Sequence, residues 1–415
     1  MTLTAQLIDT RYPDAHDTYN GLSAASDGSI YYVFCVESWT QGGRVQRYHP
    51  SARQSTLIGD LTEACGEAGA RAVPQNKSHV HFHEHAGKLY FASHVGIYSI
   101  VGGREVMPIP PDGIAPYPGG HFLSIDLATR RIEELARVPG GEGIISMTLD
   151  GPRGKAYGIT WPTARLLELD LASRSLRDYG CITSDGESRS GPTYRTICRS
   201  LAVDPRDGAV YFTTSEGWIF RLRDGLLARV EGDDLCKDYF GLYDPASPGH
   251  MGYNWRQTIW REPYIYGVHG NSGYLFRFDP VAERVDVLDR LTSEPSRRSG
   301  MFDQFSYGYL GFTLGPDGRT LYYLTGGPLY EAGRRVKGKA ATARGEAKGE
   351  ENLHLVTYDL DSARYTDHGP ITLDNGHRPS YVNSIAVGAD GAVYFLTRIK
   401  PGVPQCGLAR MEPWG

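Results

Sequence analysis

The chain lacks most features that would announce a function. Its six cysteines (Cys35, Cys65, Cys181, Cys198, Cys236 and Cys406) are scattered over 415 residues with no CxxC pair. They read as six reduced thiols of a cytoplasmic protein. The N-terminal stretch MTLTAQLIDTRYP has no basic segment followed by an apolar one, so no secretory signal is expected. No apolar run approaches the ~20 residues of a membrane span, and no membrane partner is expected. Positive charge is not in excess either. Lys and Arg total 43 against 48 Asp and Glu, a net charge of −5, which argues against a nucleic-acid partner. Helical 3.6 periodicity is nearly absent, and so are repeated WD or kelch signatures, which would favour a protein scaffold.

What the chain does have is turn residues, tyrosine and a repeat. It holds 51 Gly, 25 Pro and 27 Tyr, a composition suited to many short strands and tight turns. Hydrophobic residues make up 40%, ample for a packed core. An apolar strand, a turn and a Tyr-rich strand recur seven times: at 22–34, 80–93, 145–160, 201–214, 258–268, 310–325 and 384–397. After most copies a second hairpin follows, as in HFLSIDLATRRIEELA (121–136) and RLLELDLASRSLRDYG (165–180). Each unit therefore reads as four antiparallel strands, A to D, joined by hairpins.

Four-stranded repeats at this period predict an all-β fold, a seven-bladed β-propeller. The expected blades are 16–60, 76–138, 142–182, 194–233, 254–291, 304–371 and 378–415. The last copy runs out after GLARME (407–412), so AQLIDTRY (5–12) is expected to supply its missing strand and close the ring.

Strand order makes the two ends of the ring unequal. A–B and C–D turns are short, whereas B–C loops and D-to-A crossings are long: 60–78, 95–120, 181–196, 233–256, 291–306 and 326–353. Long loops on a rigid scaffold carry function, so the site is expected on that face near the axis. Strand A starts bring Lys77, His79, Glu142, Tyr194, Arg195, Arg199, Trp255, Arg256, Tyr307, Tyr381 and Asn383 there. Strand B ends bring His94, Trp161, His269 and Arg398, and His121 opens strand C of blade 2. Such a mouth attracts anions and can stack sugar rings. An anionic oligosaccharide is the expected partner, with Lys77, His121, Trp161, Arg199, Trp255, Arg256, His269, Tyr307, Tyr381 and Arg398 as its contacts.

Blade 2 is the densest. In NKSHVHFHEH, His79, His81, His83 and His85 share one side of the strand because side chains alternate, neighbours roughly 7 Å apart. A divalent cation such as Mn or Ca is a candidate cofactor, with His79, His81, Glu142 and Asn383 as candidate ligands. His79, His94 and His121 are expected to meet at one blade mouth, with Tyr194 and Arg195 brought close by the crossing 181–196. A Tyr or His base beside Arg is the equipment for removing a proton α to a carboxylate.

The seven-blade layout, with His79 of KSH at a strand A start and His94 at the end of strand B, resembles the propeller-fold polysaccharide lyases, such as the ulvan and oligogalacturonate lyases. The resemblance implies β-elimination of a uronate-containing saccharide. A His pair acts there with a Tyr and an Arg, matched here by His79, His94, Tyr194 and Arg195 or Arg199. The oligogalacturonate lyases add a His/Gln metal cluster near the C-terminal blades, where His354, His368 and His377 lack that spacing. Two rivals remain open: a lactonase-like hydrolase using a cation held by Glu142, Asn254, Asn383 and Asn20, and a non-catalytic propeller binding a glycan or a protein. The charged segment 331–352 reads as a loop over the working face, either a plain solvated insertion or a lid.

Overall fold

The computed structural model describes residues 2–8, 10, 12–16, 19–237, 240, 252–269, 272–299, 311–328, 330–332, 334–335, 351–400 and 403–412. Tyr307 and most of the 331–352 segment lie outside these. The strands form seven four-stranded antiparallel units in chain order. Blade 1 is Leu22–Ala24, Ile30–Phe34, Arg44–His49 and Gln54–Asp60. Blade 2 is His83–His85, Lys88–Ala92, His121–Asp126 and Ile132–Arg137. Blade 3 is Gly143–Asp150, Lys155–Trp161, Arg165–Asp170 and Leu176–Cys181. Blades 4 and 5 begin with Ala202–Val203 and Trp255–Arg261, blade 6 with Phe312–Leu314 and blade 7 with Ala386–Val387.

Burial peaks at the second strand of each blade and is lowest at the outermost. Strand B is sandwiched between neighbouring blades and reads as a continuous apolar run: IYYVF in blade 1 is buried throughout, as is VYFT in blade 4. Strand D faces solvent, and in blade 1 QSTLIGD has no fully buried residue. The C–D hairpins repeat one device. Asp126 Oδ1 accepts the backbone N–H groups of Ala128 and Thr129 at 3.1 and 2.7 Å, and Asp170, Asp279 and Asp359 do the same in later blades.

The N-terminal strand closes the ring, with one addition. Gln6–Ile8 pair antiparallel with Leu408–Arg410 in blade 7 as expected. Leu3–Ala5 also pair, in parallel, with Ile371–Leu373 of blade 6. One strand thus ties two blades together and covers the free edge of both.

Strand A of blade 2 departs from expectation. Regular pairing covers only His83–His85, with one bridge above it between Lys77 and His94. Between them the backbone turns to its neighbour: Ser23 Oγ in blade 1 accepts the Phe82 N–H at 3.1 Å and donates to the Phe82 carbonyl at 3.2 Å. His79, His81 and His83 nonetheless line one small cavity together, and His85 is not among its lining residues. His81 Nδ1 faces the Leu22 carbonyl of blade 1 at 3.4 Å, and His83 Nε2 faces the Met147 carbonyl of blade 3 at 3.1 Å. Inner strands of blades 1, 2, 5, 6 and 7 converge on a cavity of about 390 Å³ along the axis.

Candidate functional site

The mouth over blades 2 to 4 is built by a short chain of contacts. Lys77 and His94 exchange backbone hydrogen bonds at 3.2 and 2.7 Å, which sets the two side chains near one another. Lys77 is 1% exposed. Its ammonium lies 3.8 Å from the Tyr19 ring centroid and 4.5 Å from that of Tyr98, and it touches the Tyr98 hydroxyl. Two π faces and a phenol oxygen compensate the desolvated charge. His79 stacks on Tyr19 at 4.8 Å and meets His94 edge-on at 5.9 Å. His94 is fully buried, walled by Trp161 at 5.8 Å and Tyr98 at 6.5 Å. A side chain on Gly143 would leave no room for it, since a Cβ there would fall 1.9 Å from His94 Nδ1. Among the described residues, neither ring nitrogen of His94 has a hydrogen-bond partner.

Opposite, Tyr381 packs edge-on to Tyr19 at 6.5 Å, with the Arg398 guanidinium 4.4 Å from its ring centroid. Tyr381 holds a φ of 56°, a region that a bulky side chain rarely adopts. Arg199 enters from blade 4, and with His79, Asn20 and Gln257 it lines a small second cavity on the axis.

Electrostatics keep the imidazoles neutral. Burial first, and then the cations Lys77 and Arg199, hold the pKa of His79 well below its ordinary 6.5. His94 is lowered in the same way, burial leading, with Lys77, His79 and Arg199 following. Burial pushes Tyr98 well above 10 and outweighs the opposing Arg199, so its phenol stays protonated.

Other expected residues lie elsewhere or have other partners. His121 is turned away from His94. It sits opposite Ser93, whose N–H donates to its carbonyl at 2.9 Å, so the next side chain on strand B points to the other face of the sheet. There His121 Nε2 lies 2.8 Å from Glu67 and Nδ1 3.2 Å from Glu134. Arg195 is ion-paired with Glu216 and donates to the Pro192 carbonyl at 2.7 Å. Tyr194 follows the turn Gly191–Thr193, its N–H donating to the Gly191 carbonyl at 3.0 Å. Trp255 is buried, with Nε1 donating to the Ser200 carbonyl at 2.8 Å. Its neighbour Arg256 is also buried. His269 stacks on Phe240 at 4.3 Å and shares a 2.7 Å hydrogen bond with Ser272. Glu142 accepts from the Thr160 hydroxyl, and Asn383 is buried. Among the described residues, no three His, Cys, Asp or Glu side chains are grouped so as to hold a metal ion.

Three members of the mouth are new relative to the sequence reading: Tyr19, Tyr98 and Glu187. Tyr19 occupies a strand A approach like Tyr194 or Tyr381, and Tyr98 lies in the long loop 95–120. Glu187 carries no signal of its own in the sequence.

No family model matches the chain, and no curated protein matches its sequence. Solved structures match by fold. The β-propeller domain of Cps50 (Swd1) from Myceliophteria thermophila aligns over 98% of this chain and 99% of that one, at a TM-score of 0.55 and 8% identity. A chain of the mitotic checkpoint complex aligns over 97% and 90%, at 0.52 and 8%. A protein assigned as a 6-phosphogluconolactonase from Bacteroides fragilis aligns over 93% and 95%, at 0.51 and 11%. The chain is thus a β-propeller. At these identities the likeness concerns the fold alone, and it singles out no activity.

Proposed function

We propose that the protein binds a uronate-containing oligosaccharide at this mouth and cleaves it by β-elimination. One observation carries the reading: a neutral imidazole, His79, and a fixed cation, Arg199, line the same small axial cavity. Proton removal α to a carboxylate needs that combination, because the base must be unprotonated and the developing enolate charge must be stabilised. His79 takes the proton from the ring carbon bearing the carboxylate. The electron pair forms a double bond to the neighbouring carbon, the bond from that carbon to the bridging oxygen breaks, and the leaving oxygen takes up a proton. Tyr98, a protonated phenol against Lys77, is assigned as that proton's source. Tyr19, Tyr381 and Trp161 supply rings for sugar stacking. Arg195, paired with Glu216, is not among the residues lining the cavity beside His79, whereas Arg199, itself paired with Glu187, is, so the stabilising cation in this scheme is Arg199.

The lactonase alternative needs a cation on the axis. Of its four proposed ligands only Asn20 is among the residues lining the axial cavity beside His79, and no carboxylate lines it. The test is incubation with a panel of uronic-acid oligosaccharides, following the ultraviolet absorbance of the unsaturated product. Product that survives a chelator supports elimination as described. No product from any member, with or without Mn or Ca, sinks it.

A further inference from the structure

Arg199 and Trp161 reach the mouth from different blades, and a single carboxylate holds both. Glu187 sits in the 3-10 turn Gly186–Ser188 of the crossing between blades 3 and 4. Its N–H donates to the Pro162 carbonyl at 2.9 Å, which ties the turn to the end of strand B in blade 3. From there Oε2 accepts Trp161 Nε1 at 3.0 Å, while Oε1 accepts the Ile197 N–H at 3.0 Å and Arg199 NH2 at 2.6 Å. Arg199 NH1 donates to the Ile197 carbonyl at 2.7 Å. The ion pair is withdrawn from water, its side chains 6% and 5% exposed. Glu187 is not among the residues lining the axial cavity, whereas Arg199 is. Trp161, held by the other oxygen, is the ring that meets His94 and Tyr98 edge-on.

We propose that Glu187 is the positioning residue of this site. It sets the plane of the Arg199 guanidinium and partly neutralises it, so that the arginine recognises a carboxylate by geometry and not by bare charge. The same carboxylate fixes the Trp161 wall behind His94. A guanidinium with two nitrogens tied is preorganised for a planar anion, whereas an unconstrained one is a mobile charge. The substrate class rests on the uronate reading above; the positioning role rests on the contacts just given.

The deciding variant is Glu187→Gln, which keeps shape and an acceptor oxygen but removes the charge. Turnover on a uronate oligosaccharide is expected to fall about ten-fold or more through lost orientation. The Kd for D-glucuronate, by calorimetry, is expected to stay level or tighten, with a steeper dependence on salt, because the cation is less shielded. Tryptophan emission should shift in Glu187→Gln and not in Glu187→Gln combined with Trp161→Phe. A purely structural role predicts parallel weakening of turnover and binding with an unchanged salt slope, and that result overturns the proposal. So does unchanged turnover. If the unmodified protein forms no unsaturated product, the elimination reading fails. The glucuronate arm still decides: level or tighter binding with a steeper salt slope upholds the positioning role, and weaker binding or an unchanged slope ends it.

Discussion

His94 and His121 stand at the ends of adjacent strands in blade 2, on opposite faces of one sheet. His121 is 3% exposed and meets a carboxylate at each ring nitrogen. His94 is 0% exposed and meets aromatic rings and a neighbouring imidazole, with no hydrogen bond at either nitrogen among the described residues. Leaving a buried polar group unpartnered costs about 1–3 kcal/mol, so the two faces spend burial differently. The Glu67–His121–Glu134 array joins the first crossing to strand D and holds blade 2 together. The His79–His94 pair is kept neutral beside two cations, an arrangement that stability alone does not call for.

Four experiments sharpen or break this contrast. The largest effect is expected from His79→Ala: turnover on uronate substrates falls by about 10²–10⁴ while the thermal transition stays close to that of the unmodified protein. Full activity would remove His79 as the base. Next is acid. His79, His81, His83 and His94 all have lowered pKa values, burial being the first cause in each. Unfolded, each titrates near 6.5, so below that pH the unfolded chain binds more protons than the native one. The stabilisation is complete above pH 6.5 and drains as pH falls, for His83 down to about pH 4. Each residue contributes a slope of about 1.4 kcal/mol per pH unit. Denaturant titrations across this range measure it, and a flat profile would contradict the lowered pKa values of the four histidines.

Gly143→Ala comes third. Its methyl would collide with His94, for a loss of about 1–3 kcal/mol, and the displaced imidazole should lower turnover as well. Unchanged stability and turnover would show that the pocket has slack. The smallest effect on chemistry is expected from His121→Gln, which leaves Glu67 and Glu134 poorly matched. Stability falls by about 1–2 kcal/mol, read by denaturant midpoint, while turnover per folded molecule holds. A selective loss of turnover would place His121 in the site after all.

Much of this was legible in the chain. The Asp-Gly and Asp-x-x-Ser/Thr turns between apolar runs specify hairpins locally, and seven of them leave few folds other than a ring. Short connections at one end and long ones at the other pointed to one face, and the structure links Lys77, His79, His94 and Trp161, and through Tyr19 also Tyr381 and Arg398, in one chain of ring and cation contacts. Less legible was which side of a sheet each residue would take. NKSHVHFHEH reads as one clean alternating strand, yet Ser23 from the next blade captures the Phe82 backbone, and regular pairing is left to His83–His85 alone. His121 was placed with His94 by position, and a single step of strand alternation separated them.

Local chemistry, then, determined the strands and their turns, because each depends on residues a few places apart, and the closing role of the N-terminus, which pairs Gln6–Ile8 with Leu408–Arg410, followed from the strand missing from the last repeat. The tertiary structure alone decided that Tyr19 and Tyr98 would enclose Lys77, that Glu187 would hold Arg199 and Trp161, and that His94 would be sealed against Gly143. Those contacts join side chains of neighbouring blades and of the loops between them. They arise only when the ring closes and water leaves the mouth, which is also what moves the histidine and tyrosine pKa values.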